Sequence, residues 1–336
     1  MKTFLHGISI QFYRGIGPEK QRIFPLSSLN LFIGGNNAGK SIILDFLHEQ
    51  FSVQNSGRTN NPNIESVEQY RGAETGKMST SICIPTSHLR EVVEQKVRTA
   101  ENQISVWQTA EHALGKVLSA LEEDDHLWLE RIQDKNPFVF EQKVSGHIFK
   151  SRLDQDCLKT LWQILKPGWS GGSRQDWLQD VIESLAELVQ LATIDRQLIP
   201  AKRQIGPKGK QLSDLTGEGL IDELAALQSP DHDERERREL FDKINTFVAE
   251  VTGKPEAKIE IPHDRNHILV HIDNKVLPLS SLGTGIHEVI LIAAFCTIYD
   301  EIMICMEEPE IHLHPILQRK LIHYLAENTS NQYFIV

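Results

Sequence analysis

A glycine-rich loop that joins a predicted strand to a predicted helix constrains the fold of this chain most strongly. Residues 34–41 read G-G-N-N-A-G-K-S and fit the pattern G-x-x-x-x-G-K-[ST]. Apolar residues alternate before the loop at Leu29, Leu31 and Ile33, and helical spacing begins after it at Ile42. This order of strand, loop and helix predicts a P-loop, in which backbone N–H groups surround a phosphate at the N-terminus of a helix.

The residue types of the loop predict which atoms contact a nucleotide. Lys40 should reach the β and γ phosphates of ATP, and Ser41 should offer its hydroxyl to Mg²⁺. Backbone contacts with the phosphates are predicted for Gly34, Asn36, Asn37, Ala38 and Gly39. The alternative is a glycine turn with an incidental lysine, which the flanking strand and helix patterns disfavour.

An apolar stretch that ends in two acids predicts a Walker B element. Residues 302–306 have the pattern of a buried strand, and Glu307 and Glu308 follow directly. Because side chains alternate along a strand, the two carboxylates leave it in different directions and can have different roles. We expect Glu307 to steady Mg²⁺ through water and Glu308 to polarise the attacking water. Surface acids that cap a strand are the alternative.

A serine and glycine segment precedes an apolar helix upstream of these acids. Residues 279–288 read L-S-S-L-G-T-G-I-H-E, which resembles the signature motif of ABC-type ATPases. In that family the serine and glycines bind the γ-phosphate of ATP held by the opposite subunit, and Ser281, Gly283 and Gly285 stand at the matching positions. The resemblance therefore implies a head-to-tail homo-oligomer, a dimer or a larger assembly. An ordinary helix cap is the alternative.

The run after the two acids resembles one branch of the ABC ATPases. Residues 308–315 read E-P-E-I-H-L-H-P and match the pattern E-P-E-x-x-L-H-P. His312 and His314 could instead form a metal site, which this match disfavours. Together with the P-loop, the run is similar to the ATPase domain of the OLD (overcoming lysogenization defect) family, related to RecF and SMC heads. The similarity covers residues 1–85 and 195–336.

The resemblance implies two further site residues and has two departures. Arg14 lies in a Tyr-Arg pair similar to the F-R of the family's first strand, whose arginine approaches the nucleotide. Arg203 ends a P-x-x-R segment similar to one in these proteins, which makes it a candidate for nucleotide or DNA contact. Glu307 stands where Asp is commoner. The family's switch histidine follows the strand after Walker B, so we expect it beyond Val336 in a chain that continues.

These motifs predict an α/β fold: an ABC-type P-loop ATPase head with a mixed sheet, flanking helices and an all-helical insert. We expect an N-terminal lobe of the ATPase core with the P-loop at 1–87, the insert at 88–193, and the signature and Walker B lobe at 194–336. The insert contains all five tryptophans, and their rings either fill its own core or form a dimerisation or partner surface.

Charge and composition limit the partners of the chain. The net charge of -11 disfavours coating of nucleic acid by the whole surface. The local candidate for nucleic-acid contact is a basic run, although loop charges are commonly only solvated; it comprises Lys202, Arg203, Lys208 and Lys210. No apolar run approaches the roughly 20 residues that span a bilayer, and the N-terminus lacks a secretory pattern. We therefore expect a cytoplasmic protein without membrane contact, and the four cysteines show no C-x-x-C pair.

The motif set predicts a subunit that binds and hydrolyses ATP with Mg²⁺. The OLD resemblance implies a DNA-directed nuclease system, with a role in defence against phage. In such a system the ATP state gates a nuclease in a C-terminal Toprim domain or in a partner chain. The alternative function is a scaffold or sensor that holds ATP without hydrolysing it and organises a partner effector. A transporter ATPase is disfavoured by the E-P-E-x-x-L-H-P run and the large insert, and a GTPase by the absence of N-K-x-D from the sequence.

Overall fold

The computed structural model describes residues 3–35, 37–50, 68–99, 104–132, 138–142, 154–189 and 195–336. The chain divides into two compact units. Unit 1 comprises Met1–Phe4, Ser27–Ser52 and Ile194–Val336, and unit 2 comprises Leu5–Leu26 and Val53–Thr193. The P-loop, the signature segment and the Walker B segment all belong to unit 1.

The described residues form both strands and helices. The strands are β1 (Gly7–Gln11), β2 (Gln21–Ile23), β3 (Leu29–Leu31), β4 (Ser79–Pro85), β5 (Glu122–Glu123), β6 (His126–Ile132), β7 (Val139–Phe140), β8 (Arg196–Ile199), β9 (Lys258–Glu260), β10 (Leu269–Ile272), β11 (Lys275–Pro278), β12 (Met303–Met306) and β13 (Gln332–Ile335). The α-helices are α1 (Lys40–Gln50), α2 (Thr86–Thr99), α3 (Ile104–Leu121), α4 (Gln155–Leu165), α5 (Arg174–Leu188), α6 (Leu220–Gln228), α7 (Arg238–Thr252), α8 (Thr284–Ile298) and α9 (Pro315–Asn328).

A four-stranded parallel sheet lies at the centre of unit 1. Its strands have the order β3-β13-β12-β8, and every neighbouring pair is parallel. All residues of β12 and β13 are buried, as expected of parallel strands that are covered on both faces. Because the carboxyl ends of parallel strands share one edge of a sheet, the P-loop after β3 and Glu307 after β12 come to the same edge. The strands predicted around Leu29 and Ile304 are confirmed.

The helices of unit 1 supply most of its apolar core. In α8, every residue from Glu288 to Cys296 is buried. Helix α7 packs against both α8 and α9, and the rings of Phe247 and Tyr324 stack with centroids 4.1 Å apart. An all-round apolar helix of this kind needs cover on every side, and the sheet and neighbouring helices provide it.

A three-stranded antiparallel sheet, in the order β11-β10-β9, completes unit 1. Strands β9 and β10 pair antiparallel. Strand β11 was not predicted. It follows a two-residue turn in which Asp273 and Asn274 have φ of 52° and 59°, the left-handed conformation that a tight hairpin turn requires.

Unit 2 contains both helices and a β-sheet, and this sheet includes strands from the predicted insert. The strand order is β2-β1-β4-β6-β5, with β7 paired to β6. The prediction of an all-helical insert at 88–193 is therefore wrong, because β6 lies within it and pairs with β4 along its whole length. The pattern of β6 is weak because consecutive residues Leu127, Trp128 and Leu129 are all buried and polarity does not alternate.

The N-terminal strands also belong to this second sheet. Strand β1 pairs with both β2 and β4, so residues 5–26 lie in unit 2 instead of with the P-loop. The division into units thus differs from the predicted boundaries at 87 and 193. The helices of unit 2 form a chain of contacts, α3 with α4 and α4 with α5.

Three of the tryptophans belong to the interior of unit 2. Trp128, Trp162 and Trp177 are buried, and the last two rings have centroids 5.8 Å apart. Trp169 is 62% exposed. For these three rings, burial favours the alternative that they fill a core.

Burial also fixes the chemistry of the cysteines. Cys83, Cys296 and Cys305 are buried, and burial raises the pKa of each thiol to about 12. They pack as neutral, small apolar groups.

Among the described residues, no helix is long and apolar enough to cross a membrane.

Candidate active site

A cavity of about 670 Å³ lies at the carboxyl ends of the parallel strands of unit 1. This volume is within the roughly 300–1,000 Å³ that is typical of small-molecule sites. Two sets of predicted site residues line it together: Gly34, Asn37, Lys40 and Ser41 of the P-loop, and Glu307 and Glu308 of the Walker B segment. The sheet therefore joins segments that are far apart in sequence.

The P-loop curls through backbone conformations that its residue types permit. Gly39 has φ of 87° and Asn37 has φ of 63°, and glycine and asparagine are the residues that adopt such values most readily. The N–H of Ala38 donates to the carbonyl of Gly35 at 3.3 Å. Asn36, which was also predicted to contact phosphate, lies outside the described residues.

Lys40 and Ser41 open helix α1 at the cavity. The Lys40 ammonium donates to the carbonyls of Gly34 and Gly35 at 2.9 and 3.0 Å. No acidic residue lies in the first turn of α1, so no carboxylate on the helix itself offsets the positive end of its dipole. The lysine and the helix terminus together favour an anion at this position.

The two acids are held by different backbone partners. The Glu307 Oε2 accepts a hydrogen bond from the N–H of Ala201 at 3.1 Å, so this carboxylate is oriented by the segment after β8. The N–H of Glu308 donates to the carbonyl of Val336 at 2.8 Å. Glu308 is exposed and has φ of 43°, whereas Glu307 is half-buried. Their separate roles remain a prediction.

The donor set of the cavity fits a nucleoside triphosphate with Mg²⁺. The hydroxyl of Ser41 and the carboxylate of Glu307 are oxygen donors, which Mg²⁺ prefers. Lys40 and the N-terminus of α1 provide positive charge for the phosphates. These residues are therefore the ones that would hold the metal and the polyphosphate.

The signature residues lie elsewhere on unit 1. Ser281, Gly283 and Gly285 are absent from the described lining of the cavity. Ser281 and Gly283 are exposed, and a Cβ placed on Gly283 would meet no described atom within 4 Å. A Cβ on Gly285 would lie 2.9 Å from the carbonyl of His312. Gly285 is thus needed for close packing, and the predicted contacts of all three with a partner's nucleotide remain predictions.

Arg14 belongs to unit 2, where it pairs with Glu68. Its Nη2 donates to Glu68 Oε1 at 3.2 Å, and its backbone N–H donates to the Glu68 carbonyl at 2.7 Å. The hydroxyl of Tyr13 donates to the same carboxylate oxygen at 3.2 Å. The nucleotide contact predicted for Arg14 remains a prediction.

The structure contradicts the prediction that Arg203 contacts a nucleotide or DNA. Its side chain is 0% exposed, and its Nε donates to Glu288 Oε2 at 2.6 Å. The other three basic residues of the run, Lys202, Lys208 and Lys210, are exposed, and Lys208 donates to the carbonyl of Asp264. Because a fully buried guanidinium cannot reach a phosphate, nucleic-acid contact remains a prediction for the lysines alone.

Glu288 is a buried acid whose partner the sequence did not predict. It is buried on α8, immediately before the uninterrupted apolar run 289–296. A lone acid at the border of such a run signals a buried partner, because an unpaired charge is rarely buried. The identity of that partner could not be read from spacing, since Arg203 lies 85 positions away.

His314 has a structural role in the run after the acids. Its Nδ1 accepts a hydrogen bond from the N–H of Ile316 at 3.3 Å, which caps the N-terminus of α9, and Pro315 occupies the first turn. An N-cap acceptor followed by proline is a favourable start for a helix. The L-H-P part of the motif therefore sets the beginning of α9.

Comparisons with known proteins assign a family. The profile of the family described as "AAA ATPase domain" matches residues 4–335. Similar solved structures include the SmcHead bound to the C-winged helix domain of ScpA, with 13% identity and a TM-score of 0.48, covering 99% of this chain and 88% of that chain. Another is the Smc head domain with an extended coiled coil bound to the C-terminal domain of ScpA derived from Pyrococcus furiosus, with 12% identity and a TM-score of 0.45, covering 98% and 88%. No curated protein sequence matches the chain, and the finer resemblance to the OLD family remains a prediction.

Proposed function

Because this chain belongs to the AAA ATPase domain family, we propose that it hydrolyses Mg²⁺-bound ATP in the cavity of unit 1. The observation that carries the proposal is that P-loop residues and both Walker B acids line one cavity. Neither segment forms such a site alone. The two segments come together at the carboxyl ends of parallel strands, which is where α/β sheets usually bind their ligands.

Each side chain has a role that follows from its position. Lys40 can exchange its two loop carbonyls for phosphate oxygens, which are stronger acceptors because they are charged. Ser41 and Glu307 hold Mg²⁺, which when bound neutralises phosphate charge and orients the phosphate oxygens. Glu308 accepts a hydrogen bond from the attacking water and so increases its nucleophilicity.

Substitution of the two acids tests these roles. We expect Glu308→Gln to lower kcat by about 100-fold or more, because a general base typically contributes 10²–10⁴-fold, with ATP affinity changed by less than about threefold. Glu307→Gln should instead raise the Mg²⁺ concentration that is needed for turnover. The control is Glu327→Gln on the exposed end of α9, which should behave as the wild type.

Turnover and binding measured on the same samples separate the possible outcomes. Equal turnover in Glu308→Gln and wild type would exclude the assigned role. ATP binding by a wild type that does not hydrolyse would support the scaffold or sensor function instead.

We propose in addition that two copies share each ATP site. The exposed positions of Ser281 and Gly283, outside the described lining of the cavity, support this arrangement. A signature that contacts the γ-phosphate from the opposite chain makes closure of the assembly depend on ATP, as a population shift towards the state that binds it better.

The wider role that we propose is the gating of a nuclease in an OLD-like, DNA-directed defence system. The support is the resemblance of the P-loop and of residues 308–315 to that family. The nuclease is then a Toprim domain or a partner chain. Plasmid cleavage by the complete system should change when Glu308→Gln traps the ATP-bound state, and unchanged cleavage would argue against gating.

A further inference from the structure

A buried ion pair connects the signature helix α8 with the segment that carries the two acids. Arg203 and Glu288 pair at 2.6 Å, and their side chains are 0% and 9% exposed. Burying both charges is unfavourable unless additional hydrogen bonds compensate, and apolar residues often replace such pairs without loss of stability. The hydrogen bonds that compensate for burying this pair therefore indicate what the pair holds in place.

The terminal nitrogens of Arg203 donate to three backbone carbonyls, two of which belong to the acids. Its Nη1 donates to the carbonyls of Pro200 and Glu307 at 2.8 and 2.9 Å, and its Nη2 donates to that of Glu308 at 3.3 Å. The guanidinium is planar and rigid, so it fixes these carbonyls relative to one another and to Glu288. One side chain on the segment after β8 thus organises the backbone of both acids.

The backbone that Arg203 organises has an unusual conformation. Glu308 has φ of 43°, a left-handed value that non-glycine residues seldom adopt. Such a residue keeps this conformation only where its surroundings impose it. Here the carbonyl is held by Arg203 and the N–H by the carbonyl of Val336. These two hydrogen bonds therefore help to hold the backbone from which the Glu308 carboxylate extends.

A second contact joins α8 to the same segment. The first turn of α8 approaches the segment after Glu308 so closely that a Cβ on Gly285 would lie 2.9 Å from the His312 carbonyl. The N–H of Ile311 in turn donates to the Glu308 carbonyl at 3.2 Å. The start of α8 is therefore connected to the backbone of Glu308 in two ways, through the Glu288–Arg203 pair and through residues 311–312.

We infer that Arg203 and Glu288 are positioning residues that transmit the position of the signature helix to Glu308. The inference rests on the proposed ATPase function. Displacement of α8 pulls on Glu288, which shifts the Arg203 guanidinium and, with it, the carbonyls of both acids. Hydrolysis then proceeds at full rate only when the signature residues at the start of α8 contact the nucleotide of the opposite chain.

A double variant tests the inference without leaving a buried charge unpaired. Arg203→Met combined with Glu288→Leu replaces the pair by apolar side chains, which a core often tolerates. We expect the variant to remain folded with a lowered melting temperature, because three carbonyls lose their donor. Its ATP affinity should stay within about threefold of wild type, because the P-loop is intact. The value of kcat should fall at least tenfold, because the carbonyls are no longer held.

A conservative variant keeps the test valid if the double variant does not fold. Arg203→Lys retains the charge next to Glu288 but has no planar fork to hold three carbonyls, so it should keep the fold and lose kcat without a matching rise in KM. The control is Lys254→Met, which breaks the exposed ion pair with Asp273 in the same unit and should leave kcat unchanged.

The outcomes distinguish this inference from the proposed function. A folded double variant or Arg203→Lys variant with wild-type kcat would overturn the positioning role, even though Glu308→Gln is inactive. A wild type that shows no turnover would overturn both. Loss of ATP affinity in step with kcat would also contradict the inference, because it would place the pair in binding.

Discussion

Asn331 is a buried amide that joins three segments of unit 1. Its Nδ2 donates to the carbonyls of Cys296 and Tyr299 at 3.1 and 2.8 Å, and its Oδ1 accepts from the N–H of Ile302 at 3.0 Å. These contacts link the end of α8, the entry to β12 and the entry to β13. Because β12 and β13 are neighbouring strands of the parallel sheet, the amide connects the end of α8 to that sheet.

Removal of this amide should destabilise the protein strongly. Asn331→Ala leaves two carbonyls and one N–H without their partner in a buried place, and we expect a loss of about 2–4 kcal/mol in the free energy of unfolding. Urea denaturation measures it. Asn266→Ala, at an exposed position, is the control and should change stability by less than about 0.5 kcal/mol. A loss of similar size in both variants would contradict the role given to Asn331.

In the nearly isosteric variant Asn331→Asp, the loss of stability relative to wild type should depend on pH. Its carboxyl would face two carbonyl oxygens, which raises its pKa in the folded state above the unfolded value of roughly 3.9. A raised folded-state pKa means that the variant is least destabilised below the unfolded pKa and loses stability as pH rises through the folded pKa. The difference from wild type should therefore shrink on acidification, and a constant difference would contradict this account.

Two glycines at the start of α8 differ in whether a side chain could replace their hydrogen. At Gly285 the neighbouring backbone leaves no room for a Cβ, because the His312 carbonyl is 2.9 Å from where it would lie. At Gly283, the N-cap, φ is -62° and ψ is 149°, which any residue can adopt, and the described atoms leave the space open. No described atom of this chain therefore requires glycine at position 283.

Alanine at these two positions should therefore separate packing from function. We expect Gly285→Ala to lower the free energy of unfolding by about 1–3 kcal/mol, as overpacking does, and to lower turnover as well. Gly283→Ala should unfold like the wild type and still lose turnover, because in the proposed shared site this glycine faces the nucleotide of the opposite chain. Denaturant unfolding and ATPase assays provide both numbers. Full turnover in Gly283→Ala would argue against the signature assignment.

The sequence predicted those elements whose signal is local. The P-loop occupies eight consecutive residues, and Glu307 and Glu308 directly follow an apolar strand. Strand β6 was missed because burial on both faces removes its alternation. The predicted role of Arg203 was wrong because its partner, Glu288, is close only in the folded chain. Local patterns reveal strands, helices and loops, whereas pairings between distant residues depend on the tertiary fold.

An ATP site that two chains share makes a prediction about mixtures of inactive variants. Lys40→Ala removes the P-loop lysine and leaves the signature intact, whereas Ser281→Arg blocks the signature and leaves the P-loop intact. Ser281 is exposed, so arginine there should not disturb the fold. Each variant alone should be inactive, because every site in its dimers lacks one half.

Mixing the two variants should restore a calculable fraction of the wild-type ATP turnover. At equal concentrations, random pairing places about half of the chains in mixed dimers, and each mixed dimer contains one site with both functional halves, so turnover should reach about a quarter of wild type. Lys40→Ala mixed with the double variant Lys40→Ala/Ser281→Arg provides no complete site and should remain inactive. Full turnover by Ser281→Arg alone would show that the signature does not act at all. Absence of recovery, in mixtures that sedimentation shows to contain dimers, would rule out the head-to-tail arrangement.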